Sequence, residues 1–246
     1  MSLSDLLLAV LGLGLGGILK GATGAGSPVI GVPVLAVIFN VPMAVAIFTI
    51  PNLATNVWQG WNFRRSQISR RFTLIFAGSG AVGAGIGSVL LAFLPSEVLM
   101  AAVAGVVLLY IAFRLFRPHW KLAQRTADLL TAPAGLIGGI MQGAGGISAP
   151  VSVTFLNAMR LERAQFIATI SIFFCAMSVV QIPTLAGFGI LTPQVALLSL
   201  GAMVPLFGGM PIGAWLARRI SKETFDRVIL ALLGVIALKL LYDAFL

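Results

Sequence analysis

The sequence predicts an all-α polytopic membrane protein with two inverted-topology repeats, and three observations support this fold class. Of the 246 residues, 59% are hydrophobic and only 9% are charged, whereas a soluble domain carries about 25% charged residues. Long apolar runs alternate with short clusters of arginine and lysine, and the second half of the chain repeats the first. A chain with so few charges cannot form the polar surface of a soluble domain. Lipid must therefore be the solvent for most of the chain.

The apolar runs predict the helices of each half. In the first half they cover residues 6–19, 28–39, 42–61, 72–94 and 98–116, and in the second 129–141, 150–159, 164–182, 195–220 and 225–245. The last three runs of each half can span a membrane, because a span needs about 20 residues. We predict that the shorter first two runs form a re-entrant pair of half-length helices, with two thin spans as the alternative. The expected organisation is a first repeat at 1–117, a cytoplasmic linker at 118–128 and a second repeat at 129–246, within one integral membrane domain.

The charges predict how the chain is oriented. Basic clusters lie at 64–71, 114–125, 160–163 and 218–227, whereas the loops at 95–96 and 187–193 carry no positive charge. The positive-inside rule places the clusters in the cytoplasm and both termini in the periplasm. The loop after the third run is basic only in the first half, and the loop after the fourth run only in the second. The halves are therefore predicted to be inverted, as in many secondary transporters. A net charge of +9 arranged in this way does not indicate nucleic acid.

An offset of 122 residues relates the two halves: Lys20 corresponds to Gln142, and Pro28 to Pro150. With a further shift of four residues, Gly83 and Gly87 correspond to Gly209 and Gly213. Small residues at this spacing let membrane helices approach closely. We interpret these four glycines as packing contacts.

Each half contains a glycine-rich junction, at residues 21–28 and 143–150, that ends in proline. We predict that each junction starts a new helix with Pro28 or Pro150 in its first turn, and that the exposed amides of the two helix starts bind an anion near the midplane. The alternatives are glycine packing and, for Lys20, a side chain that snorkels or pairs with a carbonyl. The candidate binding residues are Lys20, Gly21, Thr23, Gly24, Gly26, Ser27, Gln142, Gly143, Gly145, Gly146 and Ser148.

The third run of each half adds a polar face. Asn52, Asn56 and Gln59 follow helical spacing, and Ser178 and Gln181 repeat that face in the second half. We add these five residues to the candidate site, with helix–helix hydrogen bonding as the alternative. No carboxylate falls mid-membrane, and one cysteine and one histidine give little to bind metal. We therefore expect no enzyme activity, no cofactor and no metal. The expected partners are a small anionic substrate and lipid, without nucleic acid, and a homodimer is left open.

At the paired glycine-rich motifs the chain resembles the TauE/SafE family of sulfite and organosulfonate transporters. The motifs are Gly21-Ala22-Thr23-Gly24-Ala25-Gly26-Ser27-Pro28 and Gly143-Ala144-Gly145-Gly146-Ile147-Ser148-Ala149-Pro150. The resemblance implies a secondary transporter that exports a small sulfur oxyanion across the bacterial inner membrane. The alternatives are an anion channel or facilitator of the same fold and a carrier of another small organic anion. A membrane enzyme would need a base or metal set in the bilayer, and a scaffold would not need repeated polar faces.

Overall fold

The computed structural model describes residues 2–116 and 121–219, together with the single positions 231, 234, 235, 237, 238 and 242. Within these residues the chain forms helices joined by short turns, without a strand. The helices are α1 (Leu3–Thr23), α2 (Ser27–Ile38), α3 (Val41–Asn62), α4 (Arg70–Phe93), α5 (Ser96–Phe116), α6 (Gln124–Gly145), α7 (Ser152–Ala158), α8 (Arg163–Gly187) and α9 (Pro193–Leu216).

Six of the described helices are long and apolar enough to cross a membrane: α1, α3, α4, α5, α8 and α9. An all-α polytopic membrane protein is therefore confirmed. Five of these helices coincide with predicted spans. The sixth predicted span, residues 225–245, and most of the basic cluster at 218–227 lie outside the described residues, as do residues 117–120 of the predicted linker.

The prediction of half-length helix pairs is wrong for the first helix of each pair. α1 has 21 residues and α6 has 22, which at about 1.5 Å per residue is long enough to span. The apolar runs stopped at Lys20 and started at Leu129, but α1 continues past Lys20 and α6 begins at Gln124. Both helices continue through charged and polar residues, because such a residue can remain helical when its polar group is buried against other helices or capped. The second helices are short, with 12 residues in α2 and 7 in α7.

Glycines hold two helix pairs close together and confirm the packing interpretation. A methyl group on Gly83 or Gly87 of α4 would collide with backbone carbonyls of α6, and one on Gly209 or Gly213 of α9 would collide with those of α1. Each half thus packs its fourth-run helix on the first helix of the other half. Because a carbonyl cannot move aside as a side chain can, these contacts fix the positions of α1 and α6.

The same contacts give the helix directions. Gly209 faces Gly14 and Gly213 faces Ile18, so α1 and α9 run parallel. α4 and α6 are parallel for the same reason. α3 and α8 run antiparallel, since Asn52 bonds to Ser178 while Gly60 faces Ser171.

These directions bring the described basic clusters to one end of the bundle. The end of α3 meets the start of α8 there, beside the starts of α4 and α6 and the end of α9. Exposed arginines occupy this end at positions 64, 65, 70, 71, 125, 160, 163, 218 and 219. We name it the basic end. That the two halves are inverted copies of each other stays a prediction. Such a repeat requires the helix directions described above.

Candidate functional site

A chain of hydrogen bonds between buried side chains joins α1 and α3 of the first half to α8 of the second. Lys20 Nζ of α1 donates to Asn56 Oδ1 of α3 at 2.8 Å. Asn56 Nδ2 donates to the carbonyl oxygen of Asn52 at 2.7 Å and to Asn52 Oδ1 at 2.9 Å. Asn52 Nδ2 then reaches Ser178 Oγ of α8 at 3.4 Å. We name these four residues the polar chain. Because each amide donates onward, Asn56 Oδ1 is turned towards Lys20.

Lys20 is buried, with 1% of its surface exposed. Its amine has one hydrogen-bond partner, Asn56, and it lies 5.8 Å from the centre of the Phe174 ring. Among the described residues no carboxylate lies within ion-pair distance of it. Of the carboxylates on that part of the chain, Asp5 and Glu97 lie in the first turn of a helix, Glu162 is the N-cap of α8, and Asp128 lies in the second turn of α6. A charged lysine in this position would need a compensating negative charge or dipole.

The first break is built by two left-handed glycines. α1 ends where Gly24 adopts φ 87°, and Gly26 at φ 88° lets α2 begin at once with Ser27. Pro28 lies in the first turn of α2, as predicted. The hydroxyl of Ser27 is buried and has no partner. It stands where the amides of a helix start are unpaired, so this break offers a hydroxyl and a helix start to a ligand.

The second break differs, and the prediction that Pro150 lies in the first turn of a helix is wrong. α7 begins at Ser152, two residues later. The position equivalent to Gly26 is Ser148, and within this break only Gly146 has a positive φ. A residue with a Cβ avoids the left-handed region, so the chain turns more slowly. The amides of Val151 and Ser152 both donate to the carbonyl oxygen of Ser148 in that turn.

The last carbonyls of α1 and α6 are bound by different side chains. Gln181 Nε2 of α8 lies 3.3 Å and 3.4 Å from the carbonyl oxygens of Gln142 and Gly143. At the end of α1, Arg163 Nη2 lies 3.4 Å and 3.3 Å from those of Gly21 and Ala22. Gln181 is buried, and Arg163 is exposed at the basic end. Sequence reasoning missed Arg163 as a contact, because a separation of this length carries no periodic signal.

Two glutamines and a serine carry buried polar atoms that have no hydrogen-bond partner among the described residues. Gln59 Oε1 and Gln142 Oε1 are buried without a hydrogen-bond partner. The hydroxyl of Ser171 on α8 is also buried and unpartnered. Unpaired buried polar atoms are rare in folded proteins and call for an explanation. A donor such as a water molecule would satisfy the two amide oxygens, which only accept hydrogen bonds.

Four of the predicted site residues serve the scaffold in this structure. A methyl group on Gly21 would collide with the backbone of Met210 on α9, and one on Gly143 with Ala84 on α4. The Thr23 hydroxyl is exposed and bonds to the carbonyl oxygens of Leu19 and Ala25. Ser148 Oγ pairs with Ser152 Oγ at 2.9 Å. Gly145 is partly exposed beside Val103.

The two breaks lie towards opposite ends of the α3–α8 pair. Gly24 packs against Ile167, near the start of α8, and Gly146 packs against Val45, near the start of α3. Since α3 and α8 are antiparallel, these two starts are far apart. The polar chain lies between the breaks, at the level where Asn52 meets Ser178.

Comparisons with known proteins agree on the class of protein. The family model described as "TauE: Sulfite exporter TauE/SafE" matches residues 8–240. "Probable membrane transporter protein YdhB" of Bacillus subtilis (strain 168) is 30% identical over 155 residues, which cover 58% of this chain and 63% of that relative. The chain thus spans less than two thirds of the length of this curated relative. No solved structure matches the chain.

Proposed function

Because this chain belongs to the sulfite exporter TauE/SafE family, we propose that it is a secondary transporter of a small sulfur-containing oxyanion, such as sulfite or an organosulfonate. The membrane fold and the family make it a membrane transporter in class. The substrate and outward direction come from the description of the family. We place it in the bacterial inner membrane with both termini in the periplasm, so that the basic end faces the cytoplasm.

The observation that carries this proposal is Lys20, which is buried at 1% exposure and, within the described part of the chain, is hydrogen-bonded only to a neutral amide. An oxyanion beside Lys20 Nζ would supply the missing negative charge. The free Ser27 hydroxyl and the amides at the start of α2 could bind its other oxygens. Charge-assisted hydrogen bonds of this kind are about twice as strong as neutral ones. The bound anion would then lie in the middle of the molecule.

The packing supports alternating access. The polar chain joins α1 and α3 of the first half to α8 of the second, so an anion here would touch both halves. The directions of α3 and α8 fit an inverted repeat, in which the two halves rock about a central site. The site side chains are buried, so one of the two sides must open to admit a ligand.

A thermal-shift screen of the purified protein tests the site. The ligands are sulfite, sulfate, thiosulfate, sulfoacetate and a set of carboxylates. A ligand that binds only the folded protein raises its melting temperature. We expect at least one sulfur oxyanion to do so, and Lys20→Ala to weaken its binding by about tenfold or more, since a lost charged hydrogen bond costs about 1.5–3 kcal/mol.

Lys121→Ala is the matched control, because Lys121 is an exposed cation at the basic end. It removes the same charge and should leave affinity unchanged. Equal weakening in both variants would mean that general attraction, and not a site at Lys20, binds the anion. Counterflow in proteoliposomes then separates a carrier from a channel. An anion on the far side accelerates exchange through a carrier, and flux that ignores the far side would instead favour the channel alternative.

A further inference from the structure

We infer that Lys20 is also a proton carrier, and that each anion is bound and transported together with one proton held on Lys20 Nζ. This inference rests on the proposed function, since it concerns the same site. The inference concerns the energetics of transport. A monovalent anion would cross the membrane with its charge cancelled by the proton on Lys20, and a proton gradient would drive or oppose its movement.

The first step is that the polar chain does not require a charged lysine. Lys20 is a donor to Asn56 Oδ1, and a neutral amine still has two N–H donors. Asn56 cannot turn its Nδ2 towards Lys20, because that group donates to Asn52. The hydrogen bonds of the polar chain are therefore the same for amine and ammonium, and a proton can arrive or leave without rearranging that chain.

The second step is that the empty site favours the amine. A buried cation without a counter-charge is costly, and the described residues place no carboxylate beside Lys20. The Phe174 ring at 5.8 Å compensates only part of a full charge. When an anion binds, the compensation becomes complete and the ammonium is favoured. Anion binding and protonation of Lys20 are therefore coupled by reciprocal linkage.

The third step is that few other groups near Lys20 could hold the proton. On α8, Cys175 follows Phe174, whose ring lies 5.8 Å from Lys20 Nζ, and Arg163 faces the last carbonyls of α1. Within their described bounds α2, α3 and α9 contain no acidic, basic, cysteine or tyrosine side chain. Among the described residues, Cys175 is thus the competitor that the experiment must separate from Lys20.

The balance of the cycle is simple. Water at one face supplies a proton to the lone pair of Lys20 Nζ as the anion binds. When the loaded protein opens to the other face, the anion leaves, the ammonium loses its counter-charge, and the proton returns to water there. The empty protein goes back with a neutral amine. No other reactant takes part, and one proton moves in the same direction as each anion.

Isothermal titration calorimetry of the full chain in detergent measures the proton directly. The probes are thiosulfate and methanesulfonate, whose conjugate acids are strong, so that neither anion can itself take up the proton near neutral pH. Titrations in phosphate and in Tris, from about pH 6 to about pH 9, give the number of protons from the dependence of the heat on the buffer. We expect uptake to rise with pH towards about one proton per anion.

Three variants make the result decisive. Lys20→Arg keeps a permanent charge, so it should bind the anion with no proton uptake. Lys20→Gln, which copies the residue at position 142, should bind more weakly and also take up no proton. Cys175→Ser should match the wild type. Anion binding without proton uptake at every pH would overturn the inference and leave the proposed function standing, and proton uptake that survives in Lys20→Arg or disappears in Cys175→Ser would overturn it too. If neither anion binds to the wild type, the proposed anion site itself falls.

Discussion

The break after α1 and the break after α6 are predicted to be equivalent, because their sequences match at an offset of 122 residues, yet they provide different chemistry. The first has Lys20, two left-handed glycines and a helix that begins at Ser27. The second has Gln142, one left-handed glycine and a helix delayed to Ser152. Of the two breaks, only the first combines a buried lysine with a helix start of useful length. The two breaks therefore present different groups at their helix starts.

The largest effect is expected from giving the second break the charge of the first. In Gln142→Lys an ammonium would replace a buried amide, at a position with 3% exposure. A lysine at the centre of a membrane helix costs about 2.5–3.5 kcal/mol. We expect the melting temperature of the detergent-solubilised protein to fall markedly. The reverse change, Lys20→Gln, replaces a buried amine with an amide that cannot become charged, and it should leave the melting temperature level or raise it. A Gln142→Lys variant as stable as wild type would mean that the two breaks are electrostatically alike.

A smaller effect is expected from the side chains that bind the ends of α1 and α6. Gln181→Leu would remove the side-chain donor from the carbonyls of Gln142 and Gly143, at a cost of up to about 1–3 kcal/mol, while the Gln142 carbonyl keeps the amide of Gly146 as a donor. Arg163→Gln removes the corresponding contact from α1 at an exposed position, where water replaces it, so we expect a loss below about 1 kcal/mol. Thermal melts of the two variants check this order. A larger loss of stability in Arg163→Gln would show that the carbonyls at the end of α1 are as well shielded from water as those at the end of α6.

The smallest of these differences concerns the glycines. Gly24→Ala puts a Cβ on a residue with φ 87°, against the side chain of Ile167, and left-handed backbone costs an alanine about 1–2 kcal/mol. Gly145→Ala is the control, because Gly145 does not have a positive φ and meets only the side chain of Val103. We expect Gly24→Ala to unfold at lower denaturant concentration. Equal midpoints would indicate that the first break relaxes out of its left-handed turn.

Much of the fold could be predicted from local pattern. Run length and composition gave the membrane class and five of the described spans, because a bilayer demands long apolar helices whatever their neighbours are. The spacing of Gly83 and Gly87 indicated a helix–helix contact, because small residues four positions apart lie on one face of a helix and let another helix approach. Helix ends were harder: α1 runs past Lys20, since a charged residue stays helical when other helices shelter it, and no local pattern reveals that shelter.

The candidate site divides in the same way. The sequence alone determined that glycine, proline and a polar helix face recur in both halves, because these depend on residue type and spacing. Only the tertiary structure decided which of them meet: that Asn56 holds Lys20, that Asn52 reaches Ser178 across the halves, and that Gly21 and Gly143 face other helices. Such contacts join residues far apart in the chain, so they depend on how α1, α3 and α8 pack. The physical reason is that close packing, and not periodicity, chooses the neighbours of a buried side chain.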